Sequence, residues 1–186
     1  MSELLFRAAR PDDASGVARV HVDGWRAAYR GLLPDSVLDG LRVEDRADRW
    51  GRWIAASDEG SQNDSVVAEG HRMLVAEKDG DVVGWATFGP GRDEGMEDHG
   101  EIAGLYVHPD QWSLGIGFAL ITHVEAELRA SGSTDAYLWV LRGNDRAIRF
   151  YEQCGWHSDG KTKIGSAGGV DDLHEERHWR DLGQKK

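Results

Sequence analysis

A single cysteine, Cys154, is present among the 186 residues, so no disulfide can form within the chain. The absence of disulfides is typical of a reducing compartment, and we expect a cytoplasmic protein. No run of about 18 apolar residues occurs, so no membrane-spanning helix is expected. The opening residues, Met-Ser-Glu-Leu-Leu-Phe-Arg, also lack the basic start and the long apolar stretch of a secretion signal.

The chain has fewer basic than acidic residues, with 22 Lys and Arg and 33 Asp and Glu. Its formal net charge is -11 at pH 7. Nucleic acids and anionic membranes attract basic surfaces, so this balance argues against both as broad partners. A cationic small molecule is a compatible partner, although the acidity also serves solubility alone. No cluster of His, Cys, Asp and Glu with metal-ligand spacing is apparent, and no metal site is expected.

The apolar residues that are present, 40% of the total, are enough for the core of one domain, which we expect to span residues 1–186. Apolar residues recur at helical spacing in four segments and form seven strand-like segments, which predicts an α/β or α+β fold with a mixed sheet. The predicted helices cover residues 17–29, 43–56, 115–130 and 144–154. The predicted strands cover residues 4–9, 73–77, 82–88, 102–107, 136–141, 156–164 and 175–182. Polar, glycine-containing stretches predict loops at residues 57–70 and 89–100.

Two glycines, Gly115 and Gly117, stand where the third predicted helix begins, shortly after the strand at 102–107. Glycine destabilises a helix by roughly 1 kcal/mol relative to alanine, so its presence there needs a reason. The free amides and the dipole of a helix start attract anions, and a residue without Cβ lets a phosphate approach the backbone closely. The Gly-Lys-Ser/Thr ending of a P-loop and the third glycine of a dinucleotide fingerprint are absent, which argues against ATP and NAD. Close packing or turn geometry is the alternative explanation.

Two longer segments occur together, EIAGLYVHPDQWSLGIGFALI at 101–121 and LWVLRGNDRAIRFYEQCGW at 138–156. Both resemble the core of the GNAT acetyltransferase superfamily. The resemblance continues in order to RAARPDDASGVARVHVDGWRAAYRGLLP near the front and EERHWRDL near the end. It implies a mixed, mainly antiparallel, twisted sheet of about six to seven strands, flanked by helices and splayed at the central parallel strands.

The resemblance implies acetyl-CoA as the co-substrate, with its pyrophosphate at the glycine-bearing helix start. The implied cradle is formed by Trp112, Ser113, Leu114, Gly115, Ile116 and Gly117. The family pattern has Gln or Arg where this chain has Trp112, and glycine is common at the position of Ser113. Because backbone amides hold the phosphates, this departure affects side-chain contacts at position 112 and not the cradle itself.

By the same resemblance we expect an N-acetyltransferase that moves the acetyl group from acetyl-CoA to a primary amine by direct attack in a ternary complex. A non-catalytic acyl-CoA-binding or regulatory module on the same fold is the alternative. The expected acceptor is a small-molecule amine or a peptide N-terminus. Neither a nucleic acid nor a membrane is an expected partner, and a homodimer is an expectation at the level of the family.

Acetylation of an amine needs a base for the ammonium, and the departing thiolate benefits from a proton donor. The resemblance places the base at Glu101, at the start of the strand that leads to the cradle, and the acid at Tyr151. A solvated strand-end glutamate and a plain core tyrosine are the structural alternatives. Three histidines are weaker candidates for the base: His21, His174 and His178.

Further contacts to the cofactor are implied for the backbone groups of Leu105, Tyr106 and Val107. Asn144 and Tyr151 lie seven residues apart and therefore share one helix face. The resemblance places both beside the cofactor, although Asn144 is also well suited to cap the helix that follows it. Trp25 and Tyr29, one turn apart, correspond to a wall of the acceptor pocket in the family, with helix packing as the alternative.

Overall fold

The computed structural model describes residues 4–58 and 70–183. The strands are β1 (Leu4–Ala8), β2 (Arg72–Lys78), β3 (Asp81–Pro90), β4 (Gly100–Val107), β5 (Asp135–Leu141), β6 (His157–Ala167) and β7 (Val170–Asp181). The helices are α1 (Ala14–Ala28), α2 (Asp35–Asp39), α3 (Val43–Asp58), α4 (Ile116–Ala130) and α5 (Asp145–Gln153). None of the helices in these two ranges is both long and apolar enough to cross a membrane.

All four predicted helices and all seven predicted strands are present. The turn-rich segment after α1 contains the short helix α2, which the sequence pattern did not predict. The β6–β7 hairpin is longer than predicted, because Gly168 and Gly169 close it tightly with φ values of 61° and 82°. Two positive φ values in a two-residue turn match the twist of a hairpin and favour glycine. Of the predicted loop at 57–70, residues 59–69 lie outside the described residues.

One seven-stranded sheet, in the order β1-β2-β3-β4-β5-β7-β6, carries helices on both faces. Neighbouring residues of β3 point to opposite faces, as strand geometry requires. Trp85 packs in a buried cluster with Val17 of α1 and Ile54 of α3. Ala86 belongs to the cluster that α4 and α5 form on the other face. The sheet is therefore enclosed from both sides, and the expected flanking helices are confirmed.

The sheet is antiparallel except between β4 and β5, which run parallel. These two strands pair only at Gly100–Ile102 and 136–138, and then they part. On its edge toward β3, β4 has one extra residue, Ala103. Thr87 of β3 pairs with Gly104, whereas the next residue, Phe88, pairs with Ile102. Such a bulge bends its strand and strengthens the twist. The predicted splay between the central parallel strands is thus confirmed, and it begins at Ala103.

Candidate functional site

A cavity of about 560 Å³ opens where β4 and β5 part. Beyond Ile102 and Leu138 the facing edges of the two strands have no ladder partner in each other. Buried backbone N–H and C=O groups need hydrogen-bond partners, so these edges are suited to an extended ligand with amide groups. Leu105, Tyr106 and Val107, which sequence reasoning singled out, all line this opening.

One end of the cavity is formed by the loop before α4. Ser113 and Gly115 both adopt positive φ, 63° and 81°, so the chain turns twice within three residues before the helix begins. A Cβ added at Gly115 would have no neighbouring atom within 4 Å, so a larger side chain would fit there. The positive φ, and not a lack of space, is therefore the reason for a glycine at this position. Gly117 also lines the cavity. This turn and the amides of the first turn of α4 have the geometry that suits an anion, and the predicted phosphate cradle stays a prediction.

The side chain of Trp112 is fixed beside this cradle. Its indole Nε1 donates a hydrogen bond of 2.7 Å to the carbonyl oxygen of Val107. Arg146 of α5 covers the other side of the indole, with its guanidinium carbon 3.1 Å from the ring centroid. Trp112 and Arg146 both line the cavity. Two residues of the predicted cradle do not, since Leu114 is exposed and Ile116 is buried in the core.

Helix α5 supplies a second wall of the cavity. Asn144 caps this helix, because its Oδ1 accepts a hydrogen bond from the Ala147 amide at 3.2 Å. Tyr151, two turns further, is buried and also lines the cavity, so both predicted residues share the expected face. Burial raises the pKa of the Tyr151 phenol, which keeps its proton at neutral pH. Within residues 4–58 and 70–183 no group forms a hydrogen bond with its hydroxyl.

Aromatic side chains line another part of the cavity. Trp25 Nε1 donates to the Tyr106 hydroxyl at 3.2 Å, and the hydroxyls of Tyr29 and Tyr106 lie 3.4 Å apart. Burial raises the pKa values of both tyrosines, so both phenols are neutral. Trp25 and Tyr29 therefore line the cavity and also pack against each other, and the acceptor wall expected of them stays a prediction.

Glu101 has a different environment from the one that the sequence predicts. Its carboxylate is 2% exposed and does not line the cavity. Arg92 grips both oxygens, with Nη2 2.6 Å from Oε1 and Nε 2.8 Å from Oε2, and the Arg92 amide donates to Oε2 at 3.0 Å. The geometry does not favour Glu101 as the base, because its lone pairs face a guanidinium and not the cavity.

Among the described residues, Glu175 is the carboxylate that lines the cavity, and sequence reasoning missed it. It lies on β7 opposite Leu141, the last residue of β5. Burial is the main cause that raises the pKa of its carboxyl group. Of the histidine candidates, His174 is exposed, whereas His21 and His178 are buried, and none of them lines the cavity.

Comparison with known proteins places the chain among acetyltransferases. Residues 39–156 match the model of the acetyltransferase (GNAT) family. A Mycobacterium tuberculosis protein named "Probable N-acetyltransferase Rv2775" is 32% identical over 161 residues, which cover 87% of this chain and 84% of that protein. PaiA N-acetyltransferase from Thermoplasma acidophilum, solved with coenzyme A, superposes with a TM-score of 0.70 at 18% identity, covering 96% of this chain and 99% of that one. YncA from Salmonella typhimurium, solved with its cofactor acetyl-CoA, gives a TM-score of 0.69 at 21% identity, covering 99% and 96%.

Proposed function

The chain belongs to the acetyltransferase (GNAT) family, and we propose that it transfers the acetyl group of acetyl-CoA to a primary amine by direct attack in a ternary complex. It is an acetyltransferase by family, and acetyl-CoA is its co-substrate. The acceptor class and the order of the chemistry are our proposal. The observation that supports them is one cavity lined by the glycine-bearing loop before α4, by the aromatic residues Trp25 and Tyr29 and by the Glu175 carboxylate.

The residues present fit acetyl-CoA. The amides around Gly115 and the start of α4 suit the pyrophosphate, because helix N-termini attract phosphate. Arg146 has no carboxylate partner among the described residues, so its charge is free for a phosphate. The unpaired edges of β4 and β5 suit the amide groups of the pantetheine arm. Acetyl-CoA supplies the acetyl group as a thioester, whose carbonyl carbon the amine attacks.

The chain's own groups then have three tasks. Beyond Ile102, backbone amides of β4 that face β5 have no ladder partner there and can donate to the thioester oxygen as negative charge develops on it. Tyr151 holds a proton that it can donate to the leaving sulfur. Trp25 and Tyr29 shape the acceptor end and exclude water from the reacting atoms.

Thiol release from acetyl-CoA in the presence of an amine panel tests this function. The panel contains a polyamine, an aminoglycoside, free amino acids and a peptide with a free N-terminus. We expect one class to release thiol well above the rate without acceptor, with the acetylated amine detected by mass spectrometry. A non-catalytic acyl-CoA-binding module would bind acetyl-CoA in calorimetry but release no thiol with any amine.

The cofactor placement is tested separately by Gly117→Asp. An added Cβ at this position meets the Phe150 ring at 3.3 Å, and the new carboxylate repels phosphate. We expect acetyl-CoA affinity to fall by at least tenfold. Thr122→Asp adds the same charge on the same helix, at an exposed residue that does not line the cavity, and serves as a control for charge alone. An unchanged affinity in a folded Gly117→Asp variant would place the pyrophosphate elsewhere.

A further inference from the structure

We propose that Glu175 is the general base of the acetyl transfer and receives a proton from the acceptor's ammonium group. This inference rests on the proposed function. The family-like segment EERHWRDL begins at Glu175, but the resemblance implied no role for this residue, which is assigned from its place in the fold.

The register between β5 and β7 brings Glu175 to the cavity. It pairs with Leu141, so the two side chains project from the same face of the sheet. Leu141 and Tyr29 both pack against the buried cluster that contains Trp25 of α1. The Glu175 carboxylate therefore lines the cavity near the aromatic residues Trp25 and Tyr29.

The Glu175 carboxylate is available for a proton. No described residue forms a hydrogen bond with it, and its nearest cation is Lys163, whose Nζ is 4.0 Å from Oε2. Glu101, by contrast, accepts three hydrogen bonds from Arg92. A base needs a free lone pair within reach of the proton that it takes, and of these two carboxylates only Glu175 offers one to the cavity.

A glycine on the neighbouring strand leaves space for this carboxylate. A Cβ added at Gly165 of β6 would lie 2.7 Å from Glu175 Oε2. A contact that short forces the flexible end of the glutamate to move away. Gly165 thus allows the orientation in which the carboxylate rests against β6 and faces the cavity.

Charged and titratable groups from four elements surround Glu175. Lys163 lies on β6, Tyr106 on β4 and Tyr29 just beyond α1, while Arg92 and Asp93 belong to the loop after β3. Burial raises the pKa of Glu175, Lys163 lowers it, Asp93 raises it and Arg92 lowers it, with a net increase. A raised pKa makes a carboxylate a stronger base for the proton of the ammonium group.

The proton balance of the reaction is simple. The ammonium first passes one proton to Glu175, and the free amine nitrogen then bonds to the carbonyl carbon of the thioester. The carbon–sulfur bond breaks, and Tyr151 donates a proton to the sulfur. The nitrogen loses its second proton as the amide forms, and that proton returns to the Tyr151 oxygen through solvent. Glu175 releases its proton to bulk water, so one proton is released per amide formed.

Glu175→Gln, which keeps the size but cannot take a proton, tests the inference in the full chain with the best acceptor of the panel. We expect turnover to fall about 100-fold or more, while acetyl-CoA affinity in calorimetry changes less than twofold. The decrease of the wild-type rate toward acid pH, which follows protonation of Glu175, should be replaced in the variant by a rise with pH that follows deprotonation of the amine. The variant should regain activity at high pH, where the free amine is abundant.

Three further variants make the result specific. Glu176→Gln is the matched control on the same strand, since Glu176 binds the Arg142 side chain at 2.8 Å and does not line the cavity. Gly165→Ala should lower turnover by displacing the carboxylate, with stability in thermal unfolding nearly unchanged. Glu101→Gln should alter stability more than the pH profile.

The outcomes are distinct. If the wild type acetylates no amine, the proposed function fails and this inference fails with it. If the wild type is active and Glu175→Gln stays within threefold of it, only the assignment of the base is wrong. If Glu101→Gln and not Glu175→Gln changes the decrease of the rate toward acid pH, Glu101 is the base. A merely structural role of Glu175 would change stability without changing the shape of the pH profile.

Discussion

The guanidinium of Arg146 lies over the indole of Trp112, 3.1 Å from the ring centroid, at the edge of the anion cradle. The indole Nε1 donates a hydrogen bond to the carbonyl oxygen of Val107, which fixes the ring on which the guanidinium stacks. Desolvation lowers the pKa of Arg146, but an arginine stays charged at any working pH. Where the family pattern has a polar Gln or Arg, this chain has Trp112. The Trp112 ring positions the Arg146 guanidinium by stacking.

The first prediction is that Arg146→Gln weakens acetyl-CoA binding by roughly 5- to 30-fold, or about 1–2 kcal/mol. The physical reason is the loss of a charge-assisted contact to a phosphate of the cofactor. Calorimetry at two salt concentrations checks it, since the wild type should lose more affinity in high salt than the variant. Arg149→Gln, on an exposed position of the same helix, is the matched control.

The same variant identifies the phosphate that Arg146 contacts. If it contacts the 3′-phosphate, wild type should discriminate acetyl-CoA from its 3′-dephospho form and Arg146→Gln should not. If it contacts the pyrophosphate, both proteins should discriminate equally. An unchanged affinity for both ligands in the variant would remove Arg146 from the cofactor site.

The second prediction concerns the two left-handed residues of the cradle. Gly115→Ala should destabilise the fold by about 1–2 kcal/mol, because an L-residue at a φ of 81° is strained although space is free. Ser113→Gly should be neutral or stabilising by up to about 1 kcal/mol, because it relieves a positive φ of 63°. Urea unfolding of both variants measures the difference. Equal and small effects would mean that the loop relaxes freely, and the strain argument would then fail.

Local chemistry predicts part of this site well. The cap at Asn144 and the glycine at position 115 are decided within a few residues of the chain, so sequence reasoning identified both, and the structure shows the cap and a positive φ at Gly115. The turn of Gly168 and Gly169 is a signal of the same kind that the sequence analysis did not use. These features depend on backbone conformation and nearby hydrogen bonds, which short stretches determine.

Which carboxylate faces the cavity depends on contacts between residues far apart in the sequence. A short stretch of sequence therefore does not predict it. Glu175 and Glu176 are neighbours on one strand, and a register slip of one residue between β5 and β7 would exchange their faces. Arg92 reaches Glu101 from a loop whose path is fixed by tertiary contacts, among them hydrogen bonds from its backbone to Tyr137. The sequence places Glu101 at a strand start but contains no local sign of its partner.

The third prediction is that Tyr151→Phe lowers turnover by roughly 10²- to 10⁴-fold, the range typical of a general acid. Only the hydroxyl is removed, and no described residue bonds to it, so packing and acetyl-CoA affinity should change little. Single-turnover transfer to the best acceptor measures the effect on the chemical step. A rate within about twofold of the wild type would make Tyr151 a core residue without a catalytic task.

The last prediction is that protonation of His21 in the unfolded chain lowers the stability of the fold in acid. Its Nδ1 accepts a hydrogen bond from Trp50 Nε1 at 3.1 Å, and its Nε2 is buried without a partner among the described residues. Burial, and then the charges of Arg46 and Arg49, lower its pKa from 6.5 to about 3. The folded chain therefore keeps His21 neutral between these values, while the unfolded chain takes up a proton below pH 6.5.

Because the unfolded state binds more protons in this window, stability must fall as the pH decreases from about 6.5 toward 3. The contribution of His21 to this loss is at most about 5 kcal/mol, from the difference between its two pKa values. His21→Gln keeps an acceptor for Trp50 but cannot titrate, so its free energy of unfolding in urea should decline less steeply between pH 6.5 and 4. His157→Gln, at an exposed position, should decline as steeply as the wild type. If His21→Gln and the wild type lose stability in parallel, groups other than His21 cause the acid sensitivity.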